Sequence, residues 1–376
     1  MRSGLPIGNR SHAEERRFVR RAAALMVAAA LVAGAFAAPS AQAKGSSKLF
    51  GLNYSFSDLT GNDAQKVRQS GAKTLRWLLV WPRIEGKQGV FNWSAPDKLV
   101  GDLAAEGIRV IPAVWGSPKW VAKSTVTAPI GSPAARNAWR QFLTALVNRY
   151  GPGGLYWTNK YPAEHPGQPA LPIGTWQIWN EPNLQSAMNP VNPGNYAKLL
   201  ELSASAIGAA DSSAKVMFAG MPGYSGNVNA WDFLGRVYQT KGARNAFDLA
   251  ALHPYARTVP QMLGEIKRFR ATMQKHGDGH KPLWITEIGW GSLPKDATPF
   301  GLTKGKKGQA RILKHAFAAL KKKRRSMHIK RVLWFNFRDP GGGNVKTCSF
   351  CSSAGLLQHD STPKPAWSAF RGATGG

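Results

Sequence analysis

Short apolar runs and longer amphipathic stretches alternate along the chain from residue 44 onwards. Several of the short runs are apolar at nearly every position, as expected for parallel strands covered on both faces. Eight such runs predict strands at residues 49–54, 74–80, 109–114, 175–179, 215–219, 249–253, 282–286 and 331–336. In the intervening stretches apolar residues recur at three- and four-residue steps, which predicts helices at residues 96–105, 134–149, 195–210, 230–239, 259–276 and 307–323.

Eight successive βα units favour one closed barrel over an open sheet. No glycine-rich dinucleotide fingerprint or P-loop follows any predicted strand, which argues against a doubly wound nucleotide-binding fold. We therefore predict an α/β fold, a single (β/α)8 TIM barrel that occupies residues 44–376.

The first 43 residues have the pattern of a secretory signal peptide. Four arginines between positions 16 and 21 precede an apolar run at residues 22–38, and Ala41-Gln42-Ala43 has the small residues that a signal peptidase accepts. The run is shorter than the roughly 20 residues that span a bilayer. We expect cleavage before Lys44 and a secreted mature chain, exported by the general or the twin-arginine route. An uncleaved membrane anchor is the alternative.

The chain is strongly basic, with 50 Lys and Arg against 20 Asp and Glu and a net charge of +30. Loss of residues 1–43 removes six Arg and two Glu, which leaves about +26 on the mature chain. Residues 297–338 contain thirteen Lys and Arg and no Asp or Glu. Such a surface fits an acidic polysaccharide or an anionic cell envelope, or is simply solvated. No nucleic-acid-binding motif accompanies it, so we expect no nucleic-acid partner.

Two glutamates come at the ends of predicted strands. The fourth predicted strand leads into residues 179–182, Trp-Asn-Glu-Pro, and the seventh leads into Thr286-Glu287. In a (β/α)8 barrel the reactive groups lie where the strands end and the following loops begin. We therefore expect Glu181 and Glu287 to meet at one mouth of the barrel.

Paired carboxylates at one mouth suit glycosidic bond cleavage, in which one protonates the leaving oxygen and the other attacks the anomeric carbon or activates water. Strand alternation puts Glu181 on the side of Gln177 and Trp179, and Glu287 on the side of Ile285. Apolar surroundings favour the protonated form of Glu181, which suits the acid. An ordinary ion pair at a strand end is the structural alternative for both glutamates.

Three further residues are candidates for the same mouth. Tyr255 is a candidate hydrogen-bond donor to Glu287, and Arg76 is a candidate cation that keeps Glu287 ionised. His253 is counted with the substrate-binding candidates, although a hydrogen-bonded structural histidine is the commoner case. No metal-ligand spacing accompanies it, so we expect no metal and no cofactor.

The motifs Trp179-Asn180-Glu181-Pro182 and Thr286-Glu287 resemble those of the clan A retaining glycoside hydrolases, (β/α)8 barrels that act on β-linked sugars. The likeness spans about 330 residues and is greatest to secreted bacterial enzymes of family 39 and family 5. It implies that Glu181 is the acid/base and Glu287 the nucleophile of a double displacement. A barrel that binds glycans or the envelope without cleaving them is the alternative.

The resemblance also implies roles in substrate binding. Asn180 would bind the sugar 2-hydroxyl, Tyr255 and Arg76 would hold the nucleophile, and Trp334 would form the sugar platform. Among the tryptophans near predicted strand ends, we expect Trp334 and Trp290 to line the site, and Trp115 is a further candidate.

Cys348 and Cys351, the two cysteines of the chain, lie in a glycine-rich loop after the eighth predicted strand. In an exported chain they predict a local disulfide, which stabilises by about 2 kcal/mol because the ring is short. A redox-active Cys-x-x-Cys motif is the alternative.

The loop at residues 289–307 follows the seventh predicted strand and borders the expected cleft. It carries Lys295, Lys304, Lys306 and Lys307, so an acidic substrate would be recognised there. We expect the partner to be a polysaccharide or oligosaccharide, which the sequence leaves undefined, and the protein to be a monomer.

Overall fold

The computed structural model describes residue 1 and residues 48–54, 59–224, 227–341, 348 and 350–376. Contacts divide the chain into two units, Met1–Gly45 and Ser46–Gly376, and the elements below belong to the second. The predicted signal peptide lies outside the described residues, apart from Met1. Within the described part of the chain, no helix has the length and apolarity that crossing a bilayer requires.

Eight parallel strands form one sheet. They are β1 (Phe50–Tyr54), β2 (Thr74–Val80), β3 (Arg109–Trp115), β4 (Thr175–Ile178), β5 (Lys215–Met217), β6 (Ala250–Leu252), β7 (Leu283–Ile288) and β8 (Ile329–Trp334). Their hydrogen-bonded order is β5-β4-β3-β2-β1-β8-β7-β6. Parallel bridges from Met217 to Leu249 and from Pro222 to His253 join β5 to β6 and close the order. The predicted single (β/α)8 barrel is confirmed.

Helices connect the strands and cover the outside of the barrel. They are α1 (Asp63–Gln69), α2 (Trp81–Ile84), α3 (Ser94–Ala105), α4 (Pro133–Tyr150), α5 (Tyr161–Glu164), α6 (Pro193–Ala210), α7 (Ala230–Val237), α8 (Val259–Lys275), α9 (Lys306–Lys323) and α10 (Pro365–Thr374). The long helices α4 and α6 begin after Ser132 and Asn192, whose side chains accept from backbone N–H groups of the first turn. Thr258 and Gln261 form a capping box at the start of α8.

A small apolar cluster fills the barrel interior. Ile111 on β3, Met217 on β5, Ala251 on β6 and Trp284 on β7 pack together. Strands that are not neighbours in the sheet contact each other only across the barrel axis, so this cluster plugs the barrel. Reacting groups are therefore confined to the ends of the strands.

Candidate active site

Glu181 lies at the mouth of the barrel, in a turn after β4 whose backbone has a left-handed conformation at two residues. Trp179 and Glu181 both have positive φ, 69° and 47°, which side-chain-bearing residues adopt uncommonly. The N–H of Glu181 donates to the carbonyl of Gly220 at 2.9 Å, which holds this turn in place. Trp179 is fully buried and packs 6.1 Å from Trp115, centroid to centroid.

The predicted strand alternation is wrong at this point. Gln177 points into the barrel, where it accepts from Arg76, whereas the Trp179 ring lies 6.3 Å from Trp139 on the outer helix α4. The left-handed residues end the alternation, so Glu181 does not share a side with Trp179.

Glu287 lies inside β7, which extends to Ile288. Because Trp284 belongs to the interior cluster, strict alternation would turn Glu287 towards the helices together with Ile285. A register shift between β7 and β8 over Ile285 and Ile288 interrupts that alternation. Glu287 therefore does not share a side with Ile285 as strand alternation predicts, although it lies at the mouth where it is expected.

Two donors hold the carboxylate of Glu287. Nη1 of Arg76 donates to Oε1 at 2.7 Å, and the hydroxyl of Tyr255 donates to Oε2 at 2.7 Å. The fully buried Arg76 also donates from Nε to Gln177 and from Nη2 to Asn180, both at 2.6 Å. The structure thus contains both contacts that the sequence predicted for Glu287, and the guanidinium links β2 to β4 and β7.

His253 lies between the two glutamates. Its Nδ1 is 2.9 Å from Oε1 of Glu181 and 3.6 Å from Oε2 of Glu287. The side chain is fully buried, and this burial lowers the pKa of His253 to about 3 although the charge of Glu287 opposes the shift. His253 is thus a fully buried residue whose contacts are with the two carboxylates, and this burial argues against the substrate-binding role expected of it.

Glu181 has the environment of a proton donor. Burial raises the pKa of Glu181 to about 7, with the charge of Arg76 opposing the rise. One-fifth of its side chain remains exposed, so the carboxyl group still meets solvent at the mouth. An acid that titrates near neutral pH beside a carboxylate held by donors provides the two groups that acid–base and nucleophilic chemistry need.

Among the described residues, one group of side chains could hold a metal ion. It consists of Glu181, His253 and Glu287, each of which has one potential ligand atom within 4.8 Å of those of the other two. The guanidinium of Arg76 contacts Glu287 directly, and a cation at this position would be repelled by it. The donor set fits a proton-transfer site better than a metal centre.

The sugar-platform prediction for Trp334 and the lining prediction for Trp290 are wrong. Both side chains are fully buried, and their rings lie 6.1 Å apart. Trp334 packs against Phe317 of α9 and donates from Nε1 to the carbonyl of Ala354. These indoles fill the space between the barrel and its helices and present no face to a sugar.

Phe335 is the aromatic residue that the sequence argument missed. It follows Trp334 and therefore projects to the opposite side, where its ring lies 6.1 Å from that of Tyr255. Trp115, at the end of β3, remains partly exposed and donates from Nε1 to the carbonyl of Ala187. Trp115 thus lies at the end of a strand beside Trp179, and its role in substrate binding stays a prediction.

Cys348 and Cys351 form a disulfide, with their Cα atoms 5.4 Å apart. Between them in sequence, Phe350 places its ring 5.1 Å from Tyr255 and 6.2 Å from Phe335. The cross-linked segment therefore packs directly on the tyrosine that holds Glu287.

Comparisons with known proteins agree with this geometry. Residues 175–361 match a family model described as a glycosyl hydrolase catalytic core. The β-xylosidase of Geobacillus stearothermophilus is 25% identical over 316 residues, which cover 76% of this chain and 57% of the relative. The chain thus spans a little over half the length of that curated relative.

Solved structures show the same barrel. A family 39 glycoside hydrolase from the gut symbiont Bacteroides cellulosilyticus WH2 superposes with a TM-score of 0.62 at 18% identity, covering 86% of this chain and 63% of that one. A family 39 β-xylosidase from Caulobacter crescentus gives 0.59 at 21% identity, with coverages of 87% and 71%. Xylanase 10B from Thermotoga maritima gives 0.60 at 14% identity, with coverages of 87% and 94%.

At these identities the structural likeness establishes the fold, and the family model adds the sequence relationship. Residues 175–361 thus match a glycosyl hydrolase catalytic core, and the described chain folds as a (β/α)8 barrel like that of the family 39 β-xylosidase.

Proposed function

We propose that this protein hydrolyses β-linked glycosides by double displacement, with retention of anomeric configuration. The observation that carries the proposal is the approach of a Glu181 oxygen to within 4.8 Å of a Glu287 oxygen at the mouth of the barrel. Retaining enzymes hold their carboxyl groups about 5 to 5.5 Å apart, whereas inverting enzymes separate them by roughly 6.5 to 9.5 Å to admit a water molecule. The short approach favours retention.

In the first step Glu287 attacks the anomeric carbon, and the glycosidic C–O bond breaks as Glu181 gives its proton to the leaving oxygen. In the second step water attacks the same carbon, Glu181 takes the proton, and the Glu287 carboxylate is released. Arg76 and Tyr255 hold Glu287 in place through both steps.

Two neighbours complete the machinery. Arg76 occupies Oδ1 of Asn180, so Nδ2 is the amide group that remains to donate to a sugar hydroxyl. His253 is a positioning residue that keeps Glu181 and Glu287 at their short separation. This chemistry uses only side chains and water.

The stereochemistry of hydrolysis tests the proposal. The curated relative is a β-xylosidase, so aryl β-xylosides are the first substrates, followed by other aryl β-glycosides and by neutral and acidic β-glycans. We expect proton NMR of the first-formed sugar to show the β-anomer before mutarotation. An α-anomer as first product would contradict double displacement.

We also propose that residues 1–43 are a cleaved signal peptide and that the mature chain is secreted. The arginines and the apolar run of this segment support the proposal, and the Cys348–Cys351 disulfide suits an oxidising compartment. Amino-terminal sequencing of the protein from culture medium should begin at Lys44. Full-length protein in the membrane fraction would favour the uncleaved anchor.

A further inference from the structure

Beside the catalytic carboxylates, a pocket of about 640 Å³ opens along Tyr255, whose hydroxyl donates to Glu287. Its volume lies within the roughly 300 to 1,000 Å³ typical of ligand sites. Its walls include Tyr224, Arg257, Glu265, Arg268 and Phe300. We name it the first rim pocket. The side chain of Tyr255 therefore both lines this pocket and contacts Glu287.

Arg268 supplies a fixed positive charge to the first rim pocket. Its guanidinium lies 5.7 Å from the ring centroid of Tyr224 and 5.3 Å from that of Trp231, and it donates to the Tyr224 hydroxyl. Among the described residues, no carboxylate forms an ion pair with Arg268. The two rings orient the guanidinium, and being uncharged they do not neutralise it.

Glu265 does not neutralise this charge. It is 3% exposed, it packs against the backbone of Gly223, and its Oε2 has no hydrogen-bond partner among the described residues. Burial raises the pKa of Glu265 to about 8, with Arg268 opposing the rise. Near neutral pH the carboxyl group is therefore mostly protonated, and the first rim pocket is cationic.

A second pocket of about 610 Å³ adjoins the first through Arg257, which lines both. The described residues around this second rim pocket include no Asp or Glu, and its cationic or titratable members besides Arg257 are Lys295, Lys304, Arg311 and His315. Asp296 pairs with Arg257 at 3.1 Å, and no acidic residue among those described pairs with Lys304 or Arg311.

Charge is crowded around Lys304. Burial lowers the pKa of Lys304; the charges of Arg257 and Lys295 lower it further, while Asp296 opposes them. An anion bound among these groups would relieve their mutual repulsion. The positive surface continues from α8 to α9, over the rim that follows β6 and β7.

We propose that the two rim pockets bind anionic groups of the substrate, which is therefore an acidic β-linked glycan bearing carboxylate or sulfate groups. Arg268 and Arg257 bind the anionic group nearest the catalytic glutamates, because a guanidinium donates two parallel hydrogen bonds to such a group. The lysines of the second rim pocket bind the anions that follow along the chain. This inference rests on the proposed glycosidase function and specifies its substrate class.

Binding to matched oligosaccharides tests the inference without requiring turnover. The full chain carrying Glu287→Gln is titrated calorimetrically with cello-oligosaccharides, with β-1,4-linked glucuronic acid oligosaccharides of equal length, and with 6-sulfated cello-oligosaccharides. We expect at least one acidic series to bind about tenfold or more tightly than the neutral series, with an advantage that falls as salt rises. The acidic series that binds more tightly shows whether the pockets prefer carboxylate or sulfate groups. Equal affinity for all three overturns the inference.

Charge variants locate the binding site. In the same background, Arg268→Gln should weaken acidic-oligosaccharide binding about tenfold, and Arg268→Lys should recover part of the loss. The control, Arg324→Gln with Arg325→Gln, removes two charges from a basic pocket at the opposite end of the barrel and should change affinity less than twofold. An equal loss in the control would show that only net charge matters and would overturn the inference.

The experiments distinguish a wrong substrate class from a wrong catalytic proposal. Turnover of aryl β-glycosides by the unmodified chain, without an acidic preference in binding, overturns the substrate class and leaves the glycosidase. Acid-selective binding without turnover of any β-glycoside overturns the glycosidase and leaves the rim pockets as an anionic-glycan site.

Discussion

At the scale of single residues, two glutamates a few ångströms apart differ because their neighbours differ. The carboxyl group of Glu181 lies 2.9 Å from Nδ1 of the neutral His253, and burial raises the pKa of Glu181 to about 7. Glu287 accepts hydrogen bonds from the guanidinium of Arg76 and the hydroxyl of Tyr255, which fix the positions of its two oxygens. The same side chain thus suits the acid in one place and the nucleophile in the other.

The pH dependence of Glu181→Gln tests the acid role. Glu181 must be protonated to donate, so kcat/KM of the unmodified enzyme should fall as pH rises through about 7. In Glu181→Gln this alkaline limb should disappear. The loss should be about 10²- to 10⁴-fold for glycosides with poor leaving groups and much smaller for dinitrophenyl glycosides, which need no protonation.

The alkaline limb near pH 7 reports on Glu181 and not on His253, because His253 has a pKa of about 3 and is already neutral there. An alkaline limb that persists near pH 7 in Glu181→Gln would assign the titration to another group. Equal losses on good and poor leaving groups would also contradict the acid role.

Sequence could locate the residues of the site better than it could orient them. Glu181 and Glu287 were found because a strand end is a definite place in a barrel. Trp334 was misassigned because a tryptophan at a strand end can face either the mouth or the helix layer, and the buried contact with Phe317 decides between them. The neighbouring Phe335 then takes the position at the mouth.

At the scale of elements, the loop after β5 and the end of β6 fit together only because position 220 is glycine. A Cβ on Gly220 would overlap Nε2 of His253 and lie 2.6 Å from Oγ1 of Thr286. The carbonyl of Gly220 also accepts from the N–H of Glu181. This loop therefore supports the acid and the histidine together.

Gly220→Ala should displace His253 and with it both glutamates. We expect unfolding stability to fall by about 1 to 3 kcal/mol, as for other overpacked sites, and kcat/KM to fall more than tenfold. Gly208→Ala is the control, since its Cβ would meet nothing within 4 Å on the exposed side of α6. It should stabilise by up to about 1 kcal/mol without changing kcat/KM.

Chemical denaturation of both variants measures the change in stability, and steady-state kinetics measure the change in kcat/KM. Unchanged kcat/KM in a destabilised Gly220→Ala would show that the loop supports the fold and does not position His253.

The disulfide acts on the loop that carries Phe350. In Cys348→Ser with Cys351→Ser, stability should fall by about 2 kcal/mol, because so short a ring restricts the unfolded chain only slightly. Phe350 packs on Tyr255, so kcat/KM should fall a few-fold. Denaturant unfolding and kinetics of the double variant measure both effects. Unchanged kcat/KM in the double variant would contradict the proposed packing role.

Most element boundaries could be predicted from periodicity, and their fine orientation could not. Strand β2 begins and ends at the predicted residues, 74 and 80, because apolar runs flanked by turn residues are local signals. The left-handed residues Trp179 and Glu181 and the register shift near Glu287 leave no trace in the apolar pattern. Both arise from contacts with other strands, which local patterns do not report.

At the scale of the whole molecule, closure of the barrel assembles the site. Arg76 and Glu287 are 211 positions apart in sequence, and Arg76 and Asn180 are 104 apart, yet one guanidinium contacts both. Parallel strands around one axis bring all their carboxyl ends to one rim. The sequence predicted the fold and the rim, while the distances within the site depend on how the closed sheet packs.

The central claim is that Glu287 is the nucleophile, and azide rescue of Glu287→Gly tests it most directly. The account predicts that the variant loses turnover of an aryl β-glycoside with a good leaving group, and that azide restores part of it by forming the α-glycosyl azide. Turnover that survives in Glu287→Gly without azide, or a rescued product of β configuration, would contradict the account.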